Sequence, residues 1–146
     1  MDRFRILPAL LALALGSTSL AACAADCRPV VRDAWVRVPP AGLPMAAGFA
    51  RFDNPCDRAA TIVSASTPAF AETTVHATSI VDGISRMRAV PELRVGPHAV
   101  AEFEPGGLHL MLMRPTRALH AGDKVPVEFH LADGRVIHAE FTVRTL

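Results

Sequence analysis

The strongest constraint on the fold of this chain of 146 residues is its series of short strand-like runs, each ended by turn residues. Beyond residue 26 no stretch has a convincing helical period, and the prolines lie mostly between runs, where a sheet tolerates them. Alternating or β-branched runs predict strands near residues 30–38, 45–53, 60–65, 73–81, 84–90, 99–104, 108–114, 124–131 and 135–143. Eight or nine short strands at this spacing predict an all-β antiparallel sandwich with Greek-key connections.

Two Asp-Gly pairs, Asp82-Gly83 and Asp133-Gly134, lie between strand-like runs. Asp-Gly is the preferred sequence for a two-residue hairpin loop, in which both central positions need a positive φ. We therefore predict a tight hairpin at each pair.

The first hairpin fixes a register. With Asp82-Gly83 as the loop, Thr78 opposes Met87 and His76 opposes Ala89. His76 and Met87 are then diagonal neighbours on one face of the ribbon, within reach of long side chains.

The N-terminal segment is typical of a secretory signal peptide, which we assign to residues 1–25. Residues 1–5 (MDRFR) are basic, and the apolar run at residues 6–15 is too short to span a bilayer. We expect the remaining residues, 26–146, to form one domain. The protein is predicted to leave the cytoplasm for the periplasm.

Two modes of processing are open. Leu20-Ala21-Ala22-Cys23 resembles a bacterial lipobox, in which Cys23 becomes the lipidated first residue. Cleavage after Ala24 or Ala25 would instead release a free periplasmic protein. The lipid on Cys23 is the only membrane attachment that the sequence predicts.

Cys27 and Cys56 remain after export, and an oxidising compartment favours a disulfide between them. The alternative is a thiol pair for metal binding or redox chemistry. Redox pairs usually lie close together as Cys-x-x-Cys, whereas these two are far apart, so we expect the disulfide.

Charge and motifs exclude several classes of function. Without Asp2, Arg3 and Arg5 the chain carries equal numbers of basic and acidic side chains, and it has no basic block of the kind that binds nucleic acid. Gly-x-Ser-x-Gly, His-Glu-x-x-His and phosphate-binding glycine loops are absent from the sequence. We therefore expect a protein that is not an enzyme.

The segment at residues 107–113 reads GLHLMLM and alternates strictly. In a strand its leucines fall on one face, and His109, Met111 and Met113 fall on the other. A half-buried strand normally presents polar residues opposite its apolar face. This strand instead presents one imidazole and two thioethers.

The sequence thus offers two donor pairs, His76 with Met87 and His109 with Met111. If the sandwich brings them together, four donors converge. Thioethers are soft and favour Cu(I), and the lack of carboxylate and thiolate donors argues against hard cations and blue-copper electron transfer. Taken singly, each methionine is more often core filling and each histidine a surface residue.

The joint pattern is His76-x10-Met87-x21-His109-x-Met111. It resembles the signature of the periplasmic copper chaperones known as PCuAC, His-x10-Met-x21-His-x-Met, which allows an optional Met after the first His. All four required positions match. The resemblance extends from about Asp33 to the end of the chain.

The resemblance implies a cupredoxin-like Greek-key β-sandwich in which His76, Met87, His109 and Met111 hold one Cu(I). It also implies delivery of Cu(I) to an apo copper-acceptor protein during assembly of copper centres, notably in cytochrome c oxidase. The optional Met is replaced by Ala77, so this site has fewer spare sulfurs than some relatives.

Several assignments stay open. Met113 and Met45 are candidate additional sulfurs or packing residues, and Trp35 is expected in the sandwich core. We expect surface positions for His98, His120, His130 and His138. The alternative functions are a copper buffer, an enzyme that uses copper, and a metal-free exported interaction domain.

Overall fold

The computed structural model describes residues 26–40 and 43–145. The predicted signal segment, including Cys23, lies outside them. The described residues form ten strands and no helix, so they contain no helix that could cross a membrane. The strands are β1 Val30–Val38, β2 Met45–Asn54, β3 Ala60–Ser66, β4 Phe70–Val81, β5 Ile84–Ala89, β6 Leu93–Val95, β7 Ala99–Phe103, β8 Leu108–Pro115, β9 Lys124–Leu131 and β10 Val136–Thr145.

The all-β prediction is confirmed, and each of the nine predicted strands is present. Strand β6, whose three residues lie between Pro91 and Pro97, was not predicted. A run of three residues is too short to show alternation, and the nearby prolines indicate a loop.

The strands form one hydrogen-bonded network in the order β5-β4-β8-β7-β2-β1-β10-β9-β3-β6. Strand β2 changes partner along its length, because it pairs with β8 near Met45 and with β7 beyond Ala50. Most pairs are antiparallel, as predicted. The exceptions among the described strands are β1 with β10 and the short contact of β7 with β8.

The sheet folds back on itself and encloses the core. Phe52 on β2 and Phe129 on β9 are three strands apart in the sheet order, yet their ring centroids are 5.6 Å apart. Three strand spacings in a flat sheet would separate them by roughly 14 Å. The largest fully buried side chains are Phe52, Phe129, Phe141, Ile62, Leu110 and Leu112.

The two hairpins differ. Asp82 and Gly83 have φ of 53° and 74°, and Thr78 opposes Met87, so the first hairpin and its register are as predicted. The prediction of a second two-residue loop is wrong.

In the second hairpin, Leu131 donates its N–H to the Arg135 carbonyl and accepts one from Gly134. Ala132 therefore belongs to the loop, which has three residues. A positive φ is needed only at Gly134, where φ is 85°. A turn that ends in a left-handed glycine is the usual three-residue hairpin.

Gly48 lets β2 and β8 approach in the core. A Cβ at this position would lie 3.1 Å from the Leu110 Cβ and 3.4 Å from the Phe141 ring. The missing side chain therefore leaves room for β2 to pack closely against β8, which carries His109 and Met111.

Cys27 and Cys56 form a disulfide with Cα atoms 5.6 Å apart. It attaches the segment before β1 to the loop after β2. The Arg135 guanidinium adds a second attachment by donating to the Cys27 carbonyl at 2.9 Å.

We expect the Cys27→Ser/Cys56→Ser double variant to lose stability. The bridge spans a sequence separation of 29, and closing such a loop in the unfolded chain corresponds to about 3–4 kcal/mol. Urea unfolding of the variant and of the wild type, with and without a reductant, measures the difference. A loss below about 1 kcal/mol in both comparisons would contradict a structural role.

Candidate metal centre

The alternation of β8 separates core residues from candidate donors. Leu110 and Leu112 are fully buried on the inner face. His109, Met111 and Met113 therefore share the opposite face. This is the arrangement that the segment at residues 107–113 predicts.

The two histidines are direct cross-strand neighbours. Strand β4 pairs with β8 so that His76 lies opposite His109, and their ring centroids are 6.0 Å apart. The two donor pairs thus meet on adjacent strands of one sheet. The sequence left open whether, and by what packing, they would meet.

The orientation of His109 is set by its own strand. Its side chain is 6% exposed, and Nδ1 lies 3.1 Å from the Gly107 carbonyl oxygen. When Nδ1–H donates this hydrogen bond, Nε2 keeps its lone pair free. Histidines that bind metals are commonly held in this way.

His76 is half-buried, and its Nδ1 is buried without a hydrogen-bond partner among the described residues. Burial lowers the pKa of the His76 imidazole, and the neighbouring His109 lowers it further. Both effects favour the neutral ring, which is the form that binds a metal ion.

The two methionines of the set differ in exposure. Met87 lies on β5, diagonal to His76, and is 52% exposed, whereas Met111 is half-buried on β8. Met87, His109 and Met111 line one open, mainly apolar cavity, and Met45 lines it too. His76 is not among the residues that line this cavity, and it joins the group through its pairing with His109.

The same face of the sheet carries the other residues that the sequence left open. Met45 lies directly opposite Met113, on β2 and β8. The assignment of Trp35 to the core is wrong. Val36 takes the inner position on β1, and Trp35 is half-buried and packs against the tilted ring of Phe49, with ring centroids 4.7 Å apart.

The remaining four histidines lie apart from this group. Each has an acidic side chain within 4 Å, with His98 beside Asp57, His120 beside Asp123, and His130 and His138 beside Glu128. Across residues 26–40 and 43–145, no three His, Cys, Asp or Glu side chains form a group that could hold a metal. The His/Met group is thus the candidate metal centre of the described chain.

Solved PCuAC domains have the same fold as this chain. The copper-bound PCuAC domain from PmoF2 superimposes with a TM-score of 0.66 at 16% identity, over 80% of this chain and 92% of that one. The Cu(I) form of DR1885 from Deinococcus radiodurans has a TM-score of 0.65 at 26% identity, over 84% and 83% of the two chains. The structure is therefore a PCuAC-type cupredoxin-like domain, as the resemblance implied.

Within this class, the chain belongs to the LpqE-like family, described as "Putative lipoprotein LpqE-like", which matches residues 30–143. It is also 32% identical over 105 residues to the "Putative lipoprotein Lxx21020" of Leifsonia xyli subsp. xyli (strain CTCB07). That alignment covers 71% of this chain and 62% of the relative, so the chain matches less than two thirds of the relative's length.

We expect His109→Ala to raise the pKa of His76. The substitution admits water beside His76 and removes the electrostatic effect of the neighbouring ring, and burial and that effect are the two causes that lower the pKa of His76 in the wild type. NMR titration of the His76 ring protons in the metal-free protein measures the change.

His109→Phe is the matched control, since it keeps the burial of His76 and removes the electrostatic effect of the imidazole. The pKa of His76 in this variant should lie between the wild-type and His109→Ala values. Identical titration curves in all three proteins would contradict the coupling of the two rings.

Proposed function

We propose that the protein is an exported copper chaperone that binds one Cu(I) and passes it to an apo copper-acceptor protein. His76, Met87, His109 and Met111 are the proposed ligands. The observation that carries the proposal is the cross-strand pair of imidazoles, with two thioethers on the same face of the sheet.

The chemistry of this set suits Cu(I). Two thioethers favour the soft cuprous ion over Zn(II), Mg(II) and Cu(II), and imidazole accepts either copper oxidation state. All four donors are neutral when they bind, so no ligand charge strengthens the attraction. Affinity of this kind allows exchange with an acceptor that offers thiolates.

The relatives support the same assignment. A copper-bound PCuAC domain and a Cu(I) form of DR1885 share the fold, and DR1885 is 26% identical to this chain. The resemblance to PCuAC chaperones gives the finer proposal that the acceptor belongs to cytochrome c oxidase or to its assembly factors.

Location follows from the leader-like segment and from the relatives. The family and the Leifsonia relative are described as lipoproteins, which fits a lipid on Cys23. We place the protein in the periplasm, free or anchored through that lipid. We assign it no catalytic step, because paired thioethers disfavour the Cu(II) state that a copper redox enzyme must visit.

An anaerobic Cu(I) titration against a chromophoric chelator tests the site. The wild type should hold one equivalent tightly. The His109→Ala/Met111→Ala variant should bind Cu(I) more than about 100-fold more weakly. Loss of a residue that only hydrogen-bonds a metal ligand already lowers metal affinity by up to about 100-fold, and this variant loses two ligands.

His138→Ala, on the exposed surface of β10, is the matched control and should bind as the wild type does. Circular dichroism verifies that each variant is folded. Equal binding by the wild type and the double variant would mean that the His/Met face is only packing.

Transfer kinetics separate a chaperone from a copper buffer. The loaded protein is mixed with an excess of the apo copper domain of cytochrome c oxidase, and the same domain without its copper-binding cysteines serves as control. A chaperone transfers copper at a rate that rises with acceptor concentration, because a ligand-exchange complex forms. A rate equal to spontaneous release at every acceptor concentration would indicate a buffer.

A further inference from the structure

The four methionines after Met1 all lie on one face of the sheet. The chain contains five methionines in total. Met87 and Met111 belong to the proposed copper site, which leaves Met45 and Met113 without a role. Their position beside that site suggests a role in copper binding.

Register places three sulfur-bearing side chains together. Met45 on β2 lies directly opposite Met113 on β8, and Met111 is two residues away on the same face of β8. Directly opposed residues have Cβ atoms roughly 4.5–5.5 Å apart. Met111 is opposed on β2 by Ala47, whose small side chain leaves room beside it.

Core packing does not account for Met45 and Met113. The inner positions beside them are filled by Ala46 on β2 and Leu112 on β8, both buried. Met45 is 40% exposed, and Met113 is also accessible in part. Both side chains therefore lie on the outer face, and both residues are at least partly accessible to solvent.

A shared cavity connects Met45 to the proposed copper site, and register connects Met113 to it through Met111. Met45 lines the same apolar cavity as Met87, His109 and Met111. On β4, the residue opposite Met113 is Glu72, which forms an ion pair with Arg114 at 3.2 Å. A carboxylate engaged in this way is a poor competitor for a soft ion, so the thioethers are the donors that suit copper here.

We propose that Met45, Met111 and Met113 form a second, weaker Cu(I) site through which copper enters or leaves the His/Met site. This inference rests on the proposed function. Met111 is common to both sites and keeps its bond to copper during the move. The bonds from copper to the imidazoles and Met87 break, and bonds to the Met45 and Met113 sulfurs form.

The exchange needs no redox partner. Copper remains Cu(I), no electron is transferred, and the imidazoles leave as neutral rings. The second site lacks imidazole and should therefore hold copper less tightly than the first. A site of this kind lets a softer acceptor take copper without extracting it directly from the histidines.

The test is an anaerobic Cu(I) titration of the exported protein labelled with ¹³C at the methionine methyl groups. Each methionine gives one NMR signal, which substitution of that residue by Leu identifies. The first equivalent should shift the signals of Met87 and Met111. The second should shift those of Met45 and Met113 and move the Met111 signal again, because both sites share the Met111 sulfur.

Met45→Leu/Met113→Leu should abolish the second binding step and leave the first within about twofold, because Leu conserves the volume of Met. If this variant is unstable, the wild-type spectra alone test the second site. Unmoved Met45 and Met113 signals, with shifts at Met87 and Met111, would overturn the second site and leave the proposed function intact.

The remaining outcomes separate the two proposals. If none of the four signals moves through two equivalents, both proposals fail. If Met45, Met111 and Met113 shift while Met87 stays unmoved, the three-sulfur site stands and the proposed His/Met ligand set is wrong.

Discussion

Burial of Leu110 and Leu112 is the interaction on which the candidate site depends. Both side chains are fully buried, and moving them into water would cost about 1.5–3 kcal/mol each. A one-residue slip of β8 would turn these leucines outward and the His/Met residues inward. The hydrophobic effect in the core therefore fixes which face presents the donors, although no donor is itself part of the core.

A second constraint acts on protonation. Pairing His76 with His109 places two imidazoles side by side in a partly desolvated position, where a second positive charge is unfavourable. The carbonyl of Gly107 holds one ring by hydrogen bonding. Folding thus orients the His109 ring, and it lowers the pKa of His76, which favours the neutral form of that ring.

The sequence predicted nine strands and the register of the first hairpin, because alternation and an Asp-Gly turn are local signals. It did not predict that His76 lies opposite His109. These residues are 33 positions apart, and the adjacency of β4 and β8 depends on how the whole sheet closes. Trp35 was misplaced for a related reason, since Phe49 and Arg144 cover its ring on the outer face of the sheet. An aromatic residue in such a strand can pack on either face.

Strand β5 ends the sheet, and all six of its residues are exposed. It carries Met87, whereas His76, His109 and Met111 lie on strands with neighbours on both sides. An edge strand can open locally while the core remains folded, because the free-energy cost is only that of opening one hairpin. The candidate group therefore combines three residues on inner strands with one on an edge strand. Substitutions that stiffen or loosen the Asp82-Gly83 turn can change the speed of ligand exchange without changing the global stability of the fold.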